Sequence, residues 1–523
     1  MPIIGRPRPM LTIATMRGLL ISIMAMSTTT TVTTIIVFGW CVAESNMDVS
    51  FSQLYHASKQ CRQGKAKGSQ CQRYEANLLE NLFDTQAALQ SYTWQPLPMR
   101  RFVAVNGSKP REIHSPAYAD RVVHHWFVPQ LQAFIQPKFI HDCAANIKEK
   151  GTHYAVNRLQ TMFRQVVGGG YFLQLDIHNF FYSINRNTLL VLLAKHLRGA
   201  LRDQKISHQQ AKDYYWLSQT LLKPALVYSG SGPAGTTPLI KQLPHHKQLK
   251  NADEGCGLPI GNLTSQFFSN VYLNELDQYV KHQLKCQHYV RYVDDFILVH
   301  KSRKQLELWQ DKISQFIQQH LQLRLKDEKH LQPTTQGADF LGYIVRPHYQ
   351  LVRRRVVGNW HNKLKTWHQQ AQPSAGYYQL PPEILSQLQS MCASYIGHCK
   401  QASYFSLLQR LLHKHQWLNV FYTIDNGQLL PKWQNRSLGG FAAQCLWFVT
   451  QYPNIQVYVQ KGRQFVNAQQ PRLGYSLGQL LQLLGCLRKH AISYAWVAEN
   501  GYCRRLKHRQ LAQLFIPQQR KTR

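Results

Sequence analysis

Acidic side chains are scarce in this chain. Its 523 residues include 26 aspartates and glutamates against 61 lysines and arginines, a formal net charge of +35. A surplus of this size suits a surface that replaces counterions on a nucleic-acid backbone, although membranes and acidic proteins also attract basic chains. The charge therefore favours a nucleic-acid partner without identifying it.

Paired cysteines are also lacking. The eleven cysteines are scattered between Cys41 and Cys503, and none forms a Cys-x-x-Cys pair. This pattern argues against a structural zinc site or a disulfide framework and for reduced thiols, so we expect a cytoplasmic protein. The 24 histidines show no spacing typical of metal ligands.

No long uninterrupted hydrophobic run is present. Two short apolar stretches, residues 10–26 and 32–43, are separated by threonines. They could form a signal or an anchor, but their length and interruption favour a mis-set start or a disordered leader that ends near Met47. We expect no stable membrane partner.

Two adjacent carboxylates stand out inside an apolar stretch. Asp294 and Asp295 follow Tyr292 and Val293 and precede the apolar residues 296–299. Adjacent aspartates in such a run suit the tight turn of a hairpin between buried strands, although such a pair is more often a solvated turn. Two like charges at the edge of a core call for neutralisation, and Mg²⁺ prefers carboxylate oxygens.

A third carboxylate ends another apolar run upstream. Residues 171–175 follow a triple glycine, lead into Asp176 and are succeeded by aromatic residues. If the two strands lie side by side, three carboxylates could hold two metal ions about 3.5 to 4 Å apart, as in-line phosphoryl transfer requires.

Between the acidic segments lies a glycine-bearing loop, residues 257–266, that leads into a helix-like segment. Gly261 would let the backbone approach a ligand, and Thr264 or Ser265 would cap a helix that starts at Phe267 or Asn274. A plain loop with a helix cap is the alternative interpretation.

The order of Asp176, the sequence Gly-Leu-Pro-Ile-Gly-Asn-Leu-Thr-Ser-Gln and the sequence Tyr-Val-Asp-Asp resembles the palm of a reverse transcriptase. The middle element is similar to the form found in diversity-generating retroelements, because Ile260 and Gln266 stand where most reverse transcriptases carry Gln and Pro. The resemblance implies an α+β right-hand polymerase with fingers, palm and helical thumb. An apolar Ile260 implies lowered fidelity opposite template adenine.

The resemblance also implies roles for individual residues. Asp176, Asp294 and Asp295, with the carbonyl of Ile177, would bind two Mg²⁺ ions, for which Mn²⁺ is a possible substitute. A lysine near the leaving pyrophosphate is best matched by Lys329, although a flexible surface lysine is the alternative.

Other residues would contact the nucleotide. Lys109 and Arg111, on a hairpin that reads as the fingers, would lie over the triphosphate, unless the hairpin is merely a solvated basic one. Phe181 would exclude a ribose 2'-hydroxyl, with core packing beside Phe180 as the alternative. Ile260, Gly261 and Gln266 would line the same nucleotide site.

The chain divides into five predicted parts. These are a leader (1–46), an N-terminal segment of two helices (47–98), fingers and palm (99–346), a helical thumb (347–428) and a small α/β extension (429–523). Residues 199–254 read as an inserted linker. The extension is faintly similar to the mismatch-recognition domain of the MutS family, and a simple docking domain is the alternative.

We therefore expect an RNA-directed DNA polymerase that uses dNTPs to make cDNA from a template-repeat RNA, with a basic oligomeric accessory protein as partner. Within the same enzyme class, a group II intron-like or retron-like reverse transcriptase is the alternative. From another class, the chain could be a catalytically silent nucleic-acid-binding module.

Overall fold

The computed structural model describes twelve stretches of the chain, and the predicted leader up to residue 45 lies outside them. Within the described helices, none combines the length and apolar composition that a membrane span requires. The described residues are 46–106, 109–166, 168–223, 227–228, 243–328, 330–371, 382–425, 428–431, 441–452, 454–470, 474–499 and 509–516.

The N-terminal segment contains three helices, where the sequence predicted two. They are α1 (Phe51–Arg62), α2 (Ser69–Ala76) and α3 (Leu78–Gln90). The extra break falls at Asn77, whose φ of −123° and ψ of 44° lie outside the helical region and end α2 before α3 begins. Leu54, Leu82 and Leu89 anchor the segment in the main core.

The predicted fingers hairpin is present. Strands β1 (Met99–Asn106) and β2 (Lys109–Ser115) pair antiparallel, with Phe102 opposite Ile113. The long helix α4 (Tyr118–Ile135) follows. Further along the chain, the short strand β4 (Val227–Tyr228) adds to β1 in parallel.

A four-stranded antiparallel sheet forms the palm. Its strands are β3 (Tyr171–Asp176), β5 (His288–Tyr292), β6 (Asp295–His300) and β7 (His330–Pro333), and they lie in the order β5-β6-β3-β7. Alternate residues of the central strands enter two different cores: Leu173 lies in one and Phe172 in the other. Burial on both faces explains the continuous apolar runs in the sequence.

Within the described residues, six helices accompany this sheet, and two of them correct the sequence interpretation. They are α5 (Thr152–Gln165), α6 (Phe180–Ser183), α7 (Arg186–Arg202), α8 (His208–Leu221), α9 (Leu263–Gln278) and α10 (Arg303–Leu321). Helix α8 occupies part of the predicted linker and starts with a capping box of Ser207 and Gln210. Helix α9 begins earlier than predicted, so Thr264 and Ser265 lie inside it and Asn262 is the N-cap.

A second small sheet leads into the thumb. Its strands are β8 (Ala338–Phe340), β9 (Tyr343–Val345) and β10 (Gln350–Val352). The thumb helices are α11 (Arg354–Ala371), α12 (Pro382–Cys399), α13 (Phe405–Lys414) and α14 (Leu418–Phe421). The helical character predicted for the thumb is confirmed. Tyr343 ties palm to thumb by donating a 2.7 Å hydrogen bond to the carbonyl of His398.

The C-terminal part is α/β, as predicted. A hairpin of β11 (Tyr422–Asp425) and β12 (Gln428–Pro431) precedes α15 (Phe441–Gln451). A five-stranded sheet follows, and α16 (Leu477–Lys489) covers it on one side. Its strands are β13 (Gln456–Lys461), β14 (Gln464–Asn467), β15 (Gly474–Tyr475), β16 (Tyr494–Glu499) and β17 (Arg509–Phe515), and they lie in the order β15-β14-β13-β16-β17.

The thumb and this sheet share one hydrophobic core. Val457 and Val497 of the sheet lie in the same buried cluster as Trp360 and Leu388 of the thumb. This shared core runs across the predicted domain limit at residue 428. The domain limits proposed from the sequence therefore stay predictions.

Candidate active site

Three aspartates converge at one end of the palm sheet. Asp176 is the last residue of β3 and lies directly opposite Asp295, the first residue of β6. Directly opposed residues of antiparallel strands project from the same face. Asp294 belongs to the two-residue turn between β5 and β6, which the pairing of Tyr292 with Asp295 closes. The predicted hairpin with two aspartates at its turn is confirmed.

The turn itself is strained. Val293 has φ of +58°, a left-handed conformation that β-branched residues rarely adopt. Such a residue costs on the order of 1–3 kcal/mol and persists only where its surroundings hold it. Here the guanidinium of Arg291 donates a 2.9 Å hydrogen bond to the carbonyl of Val293. The position of Asp294 therefore depends on contacts outside the turn.

Two of the clustered carboxylates hold protons more tightly than usual. Burial and then the charge of Asp176 raise the pKa of Asp294 to about 6. Burial raises the pKa of Asp295 to about 7, with the Asp176 and Asp294 charges adding to the effect. Both shifts come mainly from burial and to a smaller extent from the neighbouring carboxylates, so a cation bound here would stabilise the ionised forms.

A lysine supplies positive charge at the site. The ammonium of Lys326 contacts Oδ2 of Asp176, and the Lys326 amide donates a 2.9 Å hydrogen bond to the Asp176 carbonyl. The sequence pointed instead to Lys329, which lies outside the described residues. Nothing in the local pattern distinguishes the two lysines, because the pairing of Leu325 with Ile177 that brings Lys326 here is a long-range contact.

Gln174 is a second residue that the sequence interpretation missed. Its Nε2 donates to both carboxylate oxygens of Asp295, at 3.1 and 3.4 Å, and to the Asp339 carbonyl at 3.2 Å. A signal was available, because residues two apart on a strand face the same side and Gln174 precedes Asp176 by two. Gln174 orients one of the carboxylates that could bind metal.

The donor set fits a divalent cation. Oδ1 of Asp176 is buried and has no hydrogen-bond partner among the described residues. With Asp294 and Asp295 it offers the hard oxygen ligands that Mg²⁺ prefers. Over the described ranges, no three His, Cys, Asp or Glu side chains already form a ready metal-ligand group. The Lys326 ammonium lies on the other oxygen of the Asp176 carboxylate, so a bound ion would share Asp176 with it.

The glycine-bearing loop joins the palm to the fingers. The amide of Leu258 donates a 2.7 Å hydrogen bond to the carbonyl of Phe181, and the amide of His114 on β2 donates a 2.8 Å bond to the carbonyl of Ile260. Gly261 has φ of +116°, and a Cβ there would lie 2.9 Å from Cγ2 of Ile113. The structure thus brings Phe181, Ile260 and Gly261 together, and the close approach that Gly261 permits is to the fingers strand.

The basic fingers residues lie beside this loop. Arg111 is exposed on β2, and its charge acts on Tyr182, the neighbour of Phe181. Burial raises the pKa of Tyr182 to about 12, while Arg111 opposes that shift. The Lys109 backbone pairs with Asn106, but its side chain lies outside the described part. Gln266 is exposed in the first turn of α9.

These elements form a right-hand polymerase fold of the α+β class: a basic fingers hairpin, a palm sheet ending in carboxylates and a helical thumb. Residues 105–345 match the family model described as "Reverse transcriptase (RNA-dependent DNA polymerase)", which covers less than half of the chain. This part of the chain is a reverse transcriptase domain, as predicted.

Curated relatives agree with this domain. The group II intron-encoded protein LtrA of Lactococcus lactis subsp. cremoris is 24% identical over an alignment of 324 residues, which covers 50% of this chain and 48% of LtrA. The protein YkfC of Escherichia coli (strain K12) is 24% identical over 321 residues, 54% of this chain and 76% of YkfC. The chain thus spans about half the length of LtrA.

Two telomerases are among the solved structures that are similar to this one. The apo telomerase of Candida tropicalis, truncated from the C-terminal domain, has a TM-score of 0.35 and 12% identity, over 51% of this chain and 58% of that chain. The telomerase of Candida albicans in complex with the TWJ fragment of telomeric RNA has a TM-score of 0.36 and 11% identity, over 68% of this chain and 59% of that chain.

Proposed function

We propose that this protein is an RNA-directed DNA polymerase that makes cDNA by two-metal nucleotidyl transfer. The observation that carries the proposal is the convergence of Asp176, Asp294 and Asp295 at one end of a sheet inside the reverse transcriptase domain. Two Mg²⁺ ions, or Mn²⁺ as a substitute, would activate the primer 3'-hydroxyl and neutralise the triphosphate.

The chain's own residues would prepare that site. The three aspartates and the Ile177 carbonyl would hold the metal ions, and Gln174 would orient Asp295. Arg111 would grip the triphosphate through its guanidinium fork and Lys109 as a point charge. We keep Lys329 as the proposed proton donor to pyrophosphate.

The fidelity of this polymerase is the second part of the proposal. We infer that it copies a template-repeat RNA inaccurately at adenines, as in a diversity-generating retroelement. The support is Ile260, whose apolar side chain stands where a hydrogen-bonding glutamine is usual, in a loop bonded to Phe181 and to β2. A basic oligomeric accessory protein would be the partner.

Primer extension on RNA tests the polymerase proposal. Wild-type protein with Mg²⁺ and dNTPs should extend the primer, whereas Asp294→Ala and Asp295→Ala should abolish synthesis while leaving RNA binding intact. Removal of Mg²⁺ with a chelator should have the same effect. Synthesis by both variants at the wild-type rate would overturn the metal assignment, whereas no synthesis by the wild-type protein would favour a catalytically silent nucleic-acid-binding module.

The error spectrum of the cDNA separates the two enzyme alternatives. The similarity to LtrA favours a group II intron-like reverse transcriptase as the second candidate. Misincorporation confined to template adenine, reduced in Ile260→Gln, would support the retroelement proposal. Uniform errors at all four template bases, unchanged by Ile260→Gln, would favour the intron-like or retron-like alternative.

A further inference from the structure

A fully buried arginine lies next to the catalytic turn. Arg291 of β5 and Asp277 of α9 both have side chains that are 0% exposed. The guanidinium grips the carboxylate with two bonds, from Nε to Oδ1 at 2.8 Å and from Nη2 to Oδ2 at 2.6 Å. Tyr289 adds a 2.8 Å hydrogen bond to the same carboxylate. The pair is well formed and shielded from water.

The remaining donors of Arg291 reach beyond this pair. Nη1 donates to the carbonyl of Val293 at 2.9 Å and to Oδ1 of Asn270 at 3.1 Å. Nη2 also lies 3.3 Å from Sγ of Cys143. One side chain thus joins helix α9 to the turn that carries Asp294, and it does so through the strained residue Val293.

The ion pair with Asp277 does not by itself account for the hydrogen bond from Arg291 to the carbonyl of Val293. A buried ion pair can be satisfied within the core and adds little net stability over apolar packing of the same volume. Arg291, however, donates to the backbone of a two-residue turn whose left-handed Val293 must be held from outside. Lysine could neutralise Asp277 but could not span both the carboxylate and this carbonyl with the same planar fork.

We propose that Arg291, held by Asp277 and Asn270, is a positioning residue that sets the turn of Val293 and Asp294 and so the geometry of the metal-binding carboxylates. Helix α9, which carries Asn270 and Asp277, begins at Leu263, directly after the loop that contains Ile260 and Gly261, so the chain connects these contacts to that loop. This inference rests on the proposed polymerase function.

The test is Arg291→Lys in the full-length protein, assayed by primer extension across a Mg²⁺ titration. We expect kcat to fall about ten- to a hundredfold, since misplacement of a reacting group by about 1 Å can cost that much. The Mg²⁺ concentration for half-maximal rate should rise several-fold. The KM for template–primer should stay near the wild-type value, because Arg291 is buried away from nucleic acid.

Arg158→Lys is the matched control. Arg158 makes a similar but less buried two-bond contact with Asp142, from Nε at 2.6 Å and from Nη2 at 3.3 Å, and among the described residues it makes no hydrogen bond to the turn. It should lower the melting temperature while kcat and Mg²⁺ dependence stay at wild-type values. If Arg291→Lys does not fold, Asn270→Ala removes one acceptor of the same guanidinium and should shift Mg²⁺ dependence in the same direction, to a smaller extent.

The outcomes separate this inference from the polymerase proposal. If Arg291→Lys, or Asn270→Ala in its place, is folded and shows wild-type kcat and Mg²⁺ dependence while Asp294→Ala is inactive, the positioning role is overturned and the polymerase stands. If Asp294→Ala itself retains full synthesis, the metal-site assignment fails, and if the wild-type protein makes no cDNA, the polymerase proposal fails. Equal kinetic losses in Arg291→Lys and Arg158→Lys would also overturn a specific role of Arg291.

Discussion

Phe181 is the residue whose two interpretations predict different chemistry. Its ring is partly buried and meets Phe180 edge-on at a centroid distance of 5.4 Å, which suits core packing. Its carbonyl, however, binds the amide of Leu258 in the loop that carries Ile260. The Phe181 ring thus packs against the main core, while its backbone is bonded to the glycine-bearing loop.

Phe181→Ala should raise ribonucleotide incorporation relative to deoxynucleotides by about tenfold or more, because the ring that would collide with the 2'-hydroxyl is removed. The main-chain bond to Leu258 does not depend on the side chain. Measurement of kcat/KM for matched nucleotide pairs checks this, with Phe180→Leu as the control for loss of aromatic packing. Unchanged discrimination would leave Phe181 as a core residue only.

Lys326 competes with a metal ion for the Asp176 carboxylate, because its ammonium contacts Oδ2 while Oδ1 has no partner among the described residues. Lys326→Met should lower the Mg²⁺ concentration that half-saturates the protein, since the ammonium no longer neutralises this carboxylate or repels the ion. The midpoint of the rise in melting temperature with added Mg²⁺ measures this without reference to activity. A higher Mg²⁺ requirement would contradict competition and would indicate that Lys326 assists the ion. Lys312→Met, on the exposed face of α10, is the control.

At the scale of elements, helix α4 carries a buried carboxylate with a structural use. Asp120 is 1% exposed in the first turn of the helix and accepts a 3.0 Å hydrogen bond from the amide of Leu97. Burial raises the pKa of Asp120 to about 7. The side chain ties the chain before the fingers hairpin to α4 and costs stability when it is ionised.

This arrangement predicts a pH effect on stability. The folded protein binds the Asp120 proton more tightly than the unfolded chain, whose pKa is about 3.9, so this contribution weakens as pH rises from about 4 to about 7 and is lost above that. Asp120→Asn keeps an acceptor for Leu97 and removes the charge. Its free energy of unfolding should exceed that of wild type by on the order of 2–4 kcal/mol at pH 8, and the gain should shrink towards pH 4.

Urea denaturation at pH 5 and pH 8 measures the difference. Asp84→Asn, on the exposed face of α3, changes the same charge without burial and should show almost no dependence on pH. An equal effect of Asp120→Asn at both pH values would show that the carboxyl is not protonated in the folded protein below pH 7.

The sequence predicted the palm strands and the hairpin because each carries a local signal. Apolar runs lead into Asp176 and flank Asp294 and Asp295, and they predicted the strands and the turn between two of them. The contacts of Lys326 and Arg291 could not be read locally, because strand register and burial bring together residues far apart in the chain. Helix α8 was missed, since its residues read as part of an inserted linker.

At the scale of the whole molecule, the net charge of +35 should dominate RNA affinity. Each phosphate neutralised releases counterions, so the logarithm of the binding constant should fall linearly with the logarithm of salt, with a slope of about −0.7 per phosphate contact on single strands. Fluorescence anisotropy with a labelled RNA between 50 and 200 mM salt, as rough limits, measures the slope. A slope near zero would show that the basic surplus does not face RNA.

The shared core between thumb and C-terminal sheet predicts how the molecule responds to truncation. Val457, Val497 and Leu514 bury apolar surface against Trp360 and Leu388, so a chain ending at residue 428 would expose the thumb core to water. We expect that chain to lose the folded thumb and primer extension while keeping the palm. Limited proteolysis with mass spectrometry would show new cleavage within residues 354–425. A truncated protein with an intact thumb and wild-type activity would contradict the shared core and establish the extension as an independent domain.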